Sequence, residues 1–433
     1  MSVDHTEGLL AAELIDAEEG STPTPPVAAA RRRLRGHRAL LLTGIVLASL
    51  TMRAPLAGVA PVLGSIGEQM GLTATASSLV TTIPLVFMGL TSPLVPRLAR
   101  RWGTEAVLTG ALVLLTVGIA LRTAPPAVAL FGGCAVVGVG IALLNVLMPG
   151  LIKRDFPNSP AGMTALYSTA MILGATASAA AAVPLERALG GWQGTLLSCA
   201  PLAAVAALVW LPQAVLLRRG GPAGGPAAVP SPRPAGAARE RSLARSGLAW
   251  QVTLFMGAQS LIAYVAIAWL PLILTDHGMA PATAGLVFAF STLVQMLGSF
   301  VLPTLAGRMR RQRALAVAVV ALMAAGIGGL LVDPVGGAWL WATLLGLGQG
   351  GSLGLALTLM VLRSRDAHGA ARLSGMAQCW GYLLAAAGPL ALGAVHELTG
   401  GWTVPIVLLL LVCAGLVLVG WGAGRDRTVE TAG

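Results

Sequence analysis

The chain has 433 residues, 56% of them hydrophobic and only 10% charged, with a mean hydropathy of +0.80. Soluble domains carry about 25% charged residues. Seventeen acidic and 28 basic side chains cannot coat a water-soluble protein of this length, so the composition points to a chain that crosses a membrane repeatedly. The net charge of +11 raises nucleic-acid binding as a rival, and the placement of the charges decides between them.

Residues 1–37 open polar, with six acids before residue 20 and a proline-rich stretch after it. Such a composition buries no core, so a disordered cytoplasmic tail is expected there. Arg31, Arg32, Arg33, Arg35 and Arg38 follow, and then an apolar run to about Leu63. That run is too long for a signal peptide and long enough to span. Further apolar runs of spanning length give expected helices at 38–62, 74–96, 104–122, 127–150, 161–184 and 192–212. After a break they resume at 248–274, 281–306, 314–332, 338–362, 372–394 and 401–422. The fold class is therefore all-α integral membrane, with twelve transmembrane helices. The break at 213–247, rich in Pro, Gly, Ala and Arg, reads as a flexible cytoplasmic linker. It separates a six-helix half at 38–212 from a second at 248–422, and 423–433 form a short cytoplasmic tail.

Of the 28 basic residues, 25 lie in alternate loops on one side. The other side has Arg122 and Arg187, and Arg53 lies within a span. By the positive-inside rule the basic side is cytoplasmic, as are both termini, which places the chain in the cytoplasmic membrane. Charge spread over every second loop also rejects nucleic acid as a partner. The expected partners are the bilayer and a small-molecule solute, with the chain acting as a monomer.

The two halves echo each other at offsets of 207 to 211 residues. Pro61 matches Pro271, and Pro96-Arg97-Leu98-Ala99 matches Pro303-Thr304-Leu305-Ala306. Gly138 and Gly140 match Gly346 and Gly348, Arg154-Asp155 matches Arg365-Asp366, and Gly190-Gly191-Trp192 matches Gly400-Gly401-Trp402. Each unit holds six spans, an even number, so the halves run parallel.

Chemistry-bearing residues are few. No His, Cys or acidic cluster has metal-ligand or catalytic spacing, so neither an enzyme nor a metal or other cofactor is expected. Cys134, Cys199, Cys379 and Cys413 sit in apolar runs and read as unpaired core residues. Arg53 lies 15 residues past Arg38, about 22 Å along a helix, and is the one charged residue deep in a span. A guanidinium there reads as an anion-binding residue facing a central cavity, with a snorkelled or carbonyl-paired arginine as the alternatives. No carboxylate lies deep in a span; Glu68, Glu186, Asp276, Asp333 and Glu397 fall in outer loops or at outer span ends. The remaining candidate substrate contacts are Asn145, Tyr167, Gln259, Tyr264, Gln349, Gln378 and Trp380, with Gln295 beside them, since polar groups in lipid need partners. Trp192, Trp250, Trp402 and Trp421 stand near span ends and read as interface anchors.

Arg53 lies in MRAPLAGVAPVLGSI, the loop after span two reads SPLVPRLARRWG, and Asn145 opens NVLMPGLIKRDFPNSPAGMTALYS. In these segments the chain resembles the cyanate/nitroimidazole transporter branch of the major facilitator superfamily, over about residues 38–422. The resemblance implies a rocker-switch carrier with one central site between the halves, moving small anions or small nitrogen-containing solutes. It also implies Arg and Asn at the positions of Arg53 and Asn145, and a gating loop containing Arg97, Arg100 and Arg101. Pro96 stands where the superfamily's loop has Asp, and Ala99 where it has Gly. A multidrug or metabolite efflux carrier of the same fold is the alternative, although span five lacks the Gly-Pro motif of drug/proton antiporters.

Overall fold

The computed structural model describes residues 25–219 and 243–429. Most of the expected N-terminal tail and linker, and the last four residues, lie outside the described residues. The chain divides into two compact units, Met1–Ile45 and Val46–Gly433. In the first, the described residues belong to helix α1 (Pro25–Ala57), which starts well inside the segment expected to be a disordered tail. The triplet Ala28-Ala29-Ala30 and the Arg and Leu residues after it are strong helix formers, and proline is favoured in a first helical turn. Polarity excluded a core there but not a helix.

The second unit carries α2 (Leu63–Met70), α3 (Ala74–Thr91), α4 (Val95–Trp102), α5 (Thr104–Leu121), α6 (Ala127–Asp155), α7 (Pro160–Leu189), α8 (Trp192–Leu197) and α9 (Ala200–Arg219). After the linker come α10 (Gly247–Asp276), α11 (Pro281–Arg308), α12 (Arg313–Val332), α13 (Ala338–Leu362), α14 (Ala367–Thr399) and α15 (Thr403–Ala423). Eleven helical stretches are long and apolar enough to span, and the pair Leu79–Thr91 and Val95–Trp102, bent by 60°, supplies a twelfth. The fold is all-helical over the described residues and has the expected number of spans. Helix α9 runs to Arg219, past the half boundary expected at 212, because apolar residues and arginine both favour helix.

The bend between α3 and α4 has a local cause: Pro93 and Pro96 bring no N–H to the helical ladder. The first span breaks too. It leaves α-helix after Ala57, passes through a 3-10 turn at Ala60–Val62 that contains Pro61, and resumes as α2.

The internal repeat is realised as packing. An added Cβ at Gly138 would meet the Pro84 backbone of α3, and one at Gly346 would meet Ser291 of α11. At Gly140 it would meet Ala111 and Leu115 of α5, and at Gly348 Val319 and Met323 of α12. The fourth span of each half thus lies against the second and third through the same pair of glycines, where small residues let backbones approach. Gly190 and Gly400, at φ +74° and +66°, end α7 and α14 in the left-handed conformation that glycine adopts without steric cost. The tryptophans that follow correct the expectation of interface anchors. Trp192 and Trp402 are buried. Trp192 packs among Val59, Ile66 and Leu130. Trp402 stacks on His396 at 3.9 Å and donates to Asp276 at 2.8 Å. A local span-end position does not reveal that the turn folds back under its neighbours.

Among the described residues, the basic loops after α4, α6, α11, α13 and α15 meet at one end of the helices. There Arg154 pairs with Glu105 at 2.5 Å and with Asp155 at 2.7 Å. The buried Arg363 donates to the Ala423 carbonyl at 3.0 Å and to Gln312.

Candidate functional site

At the same basic end the halves grip each other. Lys153 Nζ donates to the Val361 carbonyl at 2.7 Å. Arg100 lies 3.2 Å from His368 Nε2. Ser299 donates to Ser168 Oγ at 2.7 Å. An added Cβ at Gly150 would sit 2.8 Å from the Ala367 carbonyl oxygen. Of the expected gating-loop arginines, Arg100 alone among the described residues bonds across to the other half. Arg97 is exposed on α4, and Arg101 lies over its neighbour Trp102 at 5.8 Å.

Deeper in, a polar cluster joins five helices. Tyr167 of α7 donates to Asn145 Oδ1 at 3.2 Å. Asn145 of α6 donates to the Tyr382 hydroxyl of α14 at 3.1 Å. Gln378, one turn before Tyr382, donates to the Asn145 backbone carbonyl at 2.9 Å and to Ser374 at 2.7 Å. Arg53 of α1 interacts electrostatically with all three of the chain's tyrosines, Tyr167, Tyr264 and Tyr382. Among the described residues its guanidinium makes no hydrogen bond or ion pair within the protein. The cluster therefore places a guanidinium that has no hydrogen-bonded protein partner within electrostatic reach of three phenols, with an amide bonded to two of them. Gln378 Oε1 is buried without a partner.

The structure sorts the candidate contacts. Arg53, Asn145, Tyr167, Tyr264 and Gln378 come together. Gln259 is buried, but its amide is used along its own helix, on Met256 and Ser260. Gln349 accepts from Gln295 at 2.6 Å and ties α13 to α11. Trp380 is 54% exposed and packs against Trp250 with ring centroids 6.0 Å apart. The residue that sequence reasoning missed is Tyr382. Its signal was the spacing: four residues from Gln378 keeps a side chain on the same helical face, whereas two residues, as for Trp380, turns it about 200° away. Arg122, assigned to an outer loop, is instead 1% exposed and bonds to the Pro55 carbonyl of α1 at 2.6 Å. All four cysteines are free thiols. Among the described residues no group of His, Cys and acidic side chains could hold a metal ion.

Residues 40–389 match the family model described as Major Facilitator Superfamily. Over 396 residues, covering 91% of this chain and 98% of the relative, the sequence is 42% identical to the 2-nitroimidazole transporter of Escherichia coli strain K12. Over 380 residues, covering 88% of this chain and 96% of the relative, it is 27% identical to the cyanate transport protein CynX of the same organism. Among solved structures, the proton:xylose symporter XylE bound to 6-bromo-6-deoxy-D-glucose superposes with a TM-score of 0.72 at 14% identity, covering 90% of this chain and 97% of that one. At that identity the likeness speaks for the fold alone. The chain belongs to the major facilitator superfamily and is a membrane transporter of small solutes that resembles its cyanate/nitroimidazole branch.

Proposed function

We propose that this carrier moves a small anion or a small planar, acceptor-bearing nitrogen compound, held by Arg53 at the cluster between the halves. The observation that carries the reading is the Arg53 guanidinium, partly buried, within electrostatic reach of three phenols and lacking a protein acceptor. No acid lies deep in a span to pair with this guanidinium, and an intramembrane cation without a protein partner marks a binding site. A bound solute that presents oxygen or nitrogen lone pairs would supply the missing partner through the donor fork. Tyr167, Tyr264, Tyr382 and Asn145 would fix the orientation. The names of the two relatives, a nitroimidazole and a cyanate transporter, fit this chemistry. We also infer that the protein sits in the cytoplasmic membrane with both termini inside, as a monomer and without a cofactor. The end closed by Lys153 and Arg100 is then cytoplasmic.

The test is uptake of cyanate and of 2-nitroimidazole by proteoliposomes carrying Arg53→Gln or Arg53→Lys. The Gln variant is expected to lose transport while inserting normally. The Lys variant keeps the charge without the bidentate fork and is expected to fall between. Near wild-type uptake by the Gln variant would overturn the assignment of Arg53.

A further inference from the structure

Arg122 is the capping residue of α5 and is buried almost completely. Of its guanidinium nitrogens, Nη1 donates to the Pro55 carbonyl at 2.6 Å, while Nε and Nη2 have no partner. Among the described residues no acid pairs with it, and its electrostatic neighbours are the thiols of Cys134 and Cys199. Gly133 lies directly against its backbone.

The carbonyl it takes is the one the first helix has given up. In a continuing α-helix the Pro55 carbonyl would accept from Val59 N–H. Here Val59 N donates instead to Leu56 O at 3.4 Å, and the chain turns into the 3-10 segment. Beyond the break, Val59, Val62 and Ile66 are packed with Leu130, Cys134 and Trp192 of the same half. A cation at the C-terminal end of a helix is favoured by the helix dipole. A buried guanidinium with two unmet donors is nevertheless a costly way to end one. Its place in the structure supplies the purpose: Pro55 is two residues from Arg53, in the last turns of α1.

We infer that Arg122 is a positioning residue for the solute site. By capping α1 where it breaks, it fixes the turn that carries Arg53 and so holds that guanidinium in the direction of Tyr167, Tyr264 and Tyr382. A site on a rigid, preorganised turn binds more tightly than one on a frayed helix end. This inference rests on Arg53 contacting the solute.

The experiment compares Arg122→Met, Arg122→Lys and Arg53→Gln in proteoliposomes, using whichever of cyanate and 2-nitroimidazole the wild-type carrier takes up, together with the melting temperature of each purified protein. Methionine fills similar space without charge or donor; lysine keeps a donor for the Pro55 carbonyl. Arg122→Met is expected to raise KM about tenfold with Vmax nearly unchanged, the pattern of lost binding, while the melting temperature stays level or rises. Arg122→Lys is expected to restore KM. A lowered melting temperature with wild-type KM in the Met variant would make Arg122 a merely structural residue and overturn the inference. If Arg53→Gln transports normally, the Arg53 reading fails and this one with it. If Arg53→Gln is inactive and Arg122→Met has wild-type KM, only the positioning role fails.

Discussion

The bond from Lys153 to Val361 sets a measurable bias between the carrier's states. It crosses from one half to the other at the basic end, so it exists only while that end is closed. A hydrogen bond with one charged partner contributes about 1.5–3 kcal/mol. Lys153 is only partly buried and regains water when the halves part, so the lower figure applies. Lys153→Met should then shift the closed-to-open ratio at this end by about tenfold. Ala371 reports on the change, since it is buried at the same seam, with an added Cβ at Gly150 falling 3.3 Å from its own. In a background lacking the four native cysteines, a single cysteine at Ala371 should react with maleimide about tenfold faster in Lys153→Met, in proportion to the open population. Arg154→Met is the control. Its ion pairs run to Glu105 and Asp155, both within the first half, so both states keep them and the labelling rate should not move. Equal rates for wild type and Lys153→Met would refute the reasoning, as would an equal acceleration by Arg154→Met.

Two further outcomes are expected. Tyr382→Phe removes the hydroxyl that accepts from Asn145 and should weaken solute affinity several-fold, by the worth of about one hydrogen bond, whereas Trp380→Ala should leave KM unchanged; proteoliposome uptake kinetics distinguish them, and the reverse ranking would dissolve the cluster as a site. For topology, a cysteine at Thr399 should react with an impermeant thiol reagent added to whole cells and one at Asn158 should not; labelling at Asn158 alone would invert the assigned orientation.

Much of the architecture was readable because its causes act residue by residue. Spanning length follows from a summed transfer energy, and basic residues recur in alternate loops, so twelve spans and one basic end could be read without coordinates. The glycine pairs at 138 and 140 and at 346 and 348 were visible as a repeat, since equal packing in two halves needs equal small residues. Arg53 and Asn145 stood out because polarity in an apolar run is rare.

What only the tertiary structure decided depends on helix rotation and on which neighbours arrive. Each residue turns a helix by about 100°, so Gln378 and Tyr382 enter the cluster while Trp380, between them, faces outward. Gln259 and Gln349 looked the same as Asn145 in sequence, yet one bonds along its own helix and the other to Gln295, because an amide takes the nearest partner that packing supplies. Arg122 read as a loop charge, for nothing local to it shows that the first helix breaks beside it. Its burial and its bond to Pro55 arise from a contact between residues 67 positions apart, which a one-dimensional pattern does not contain.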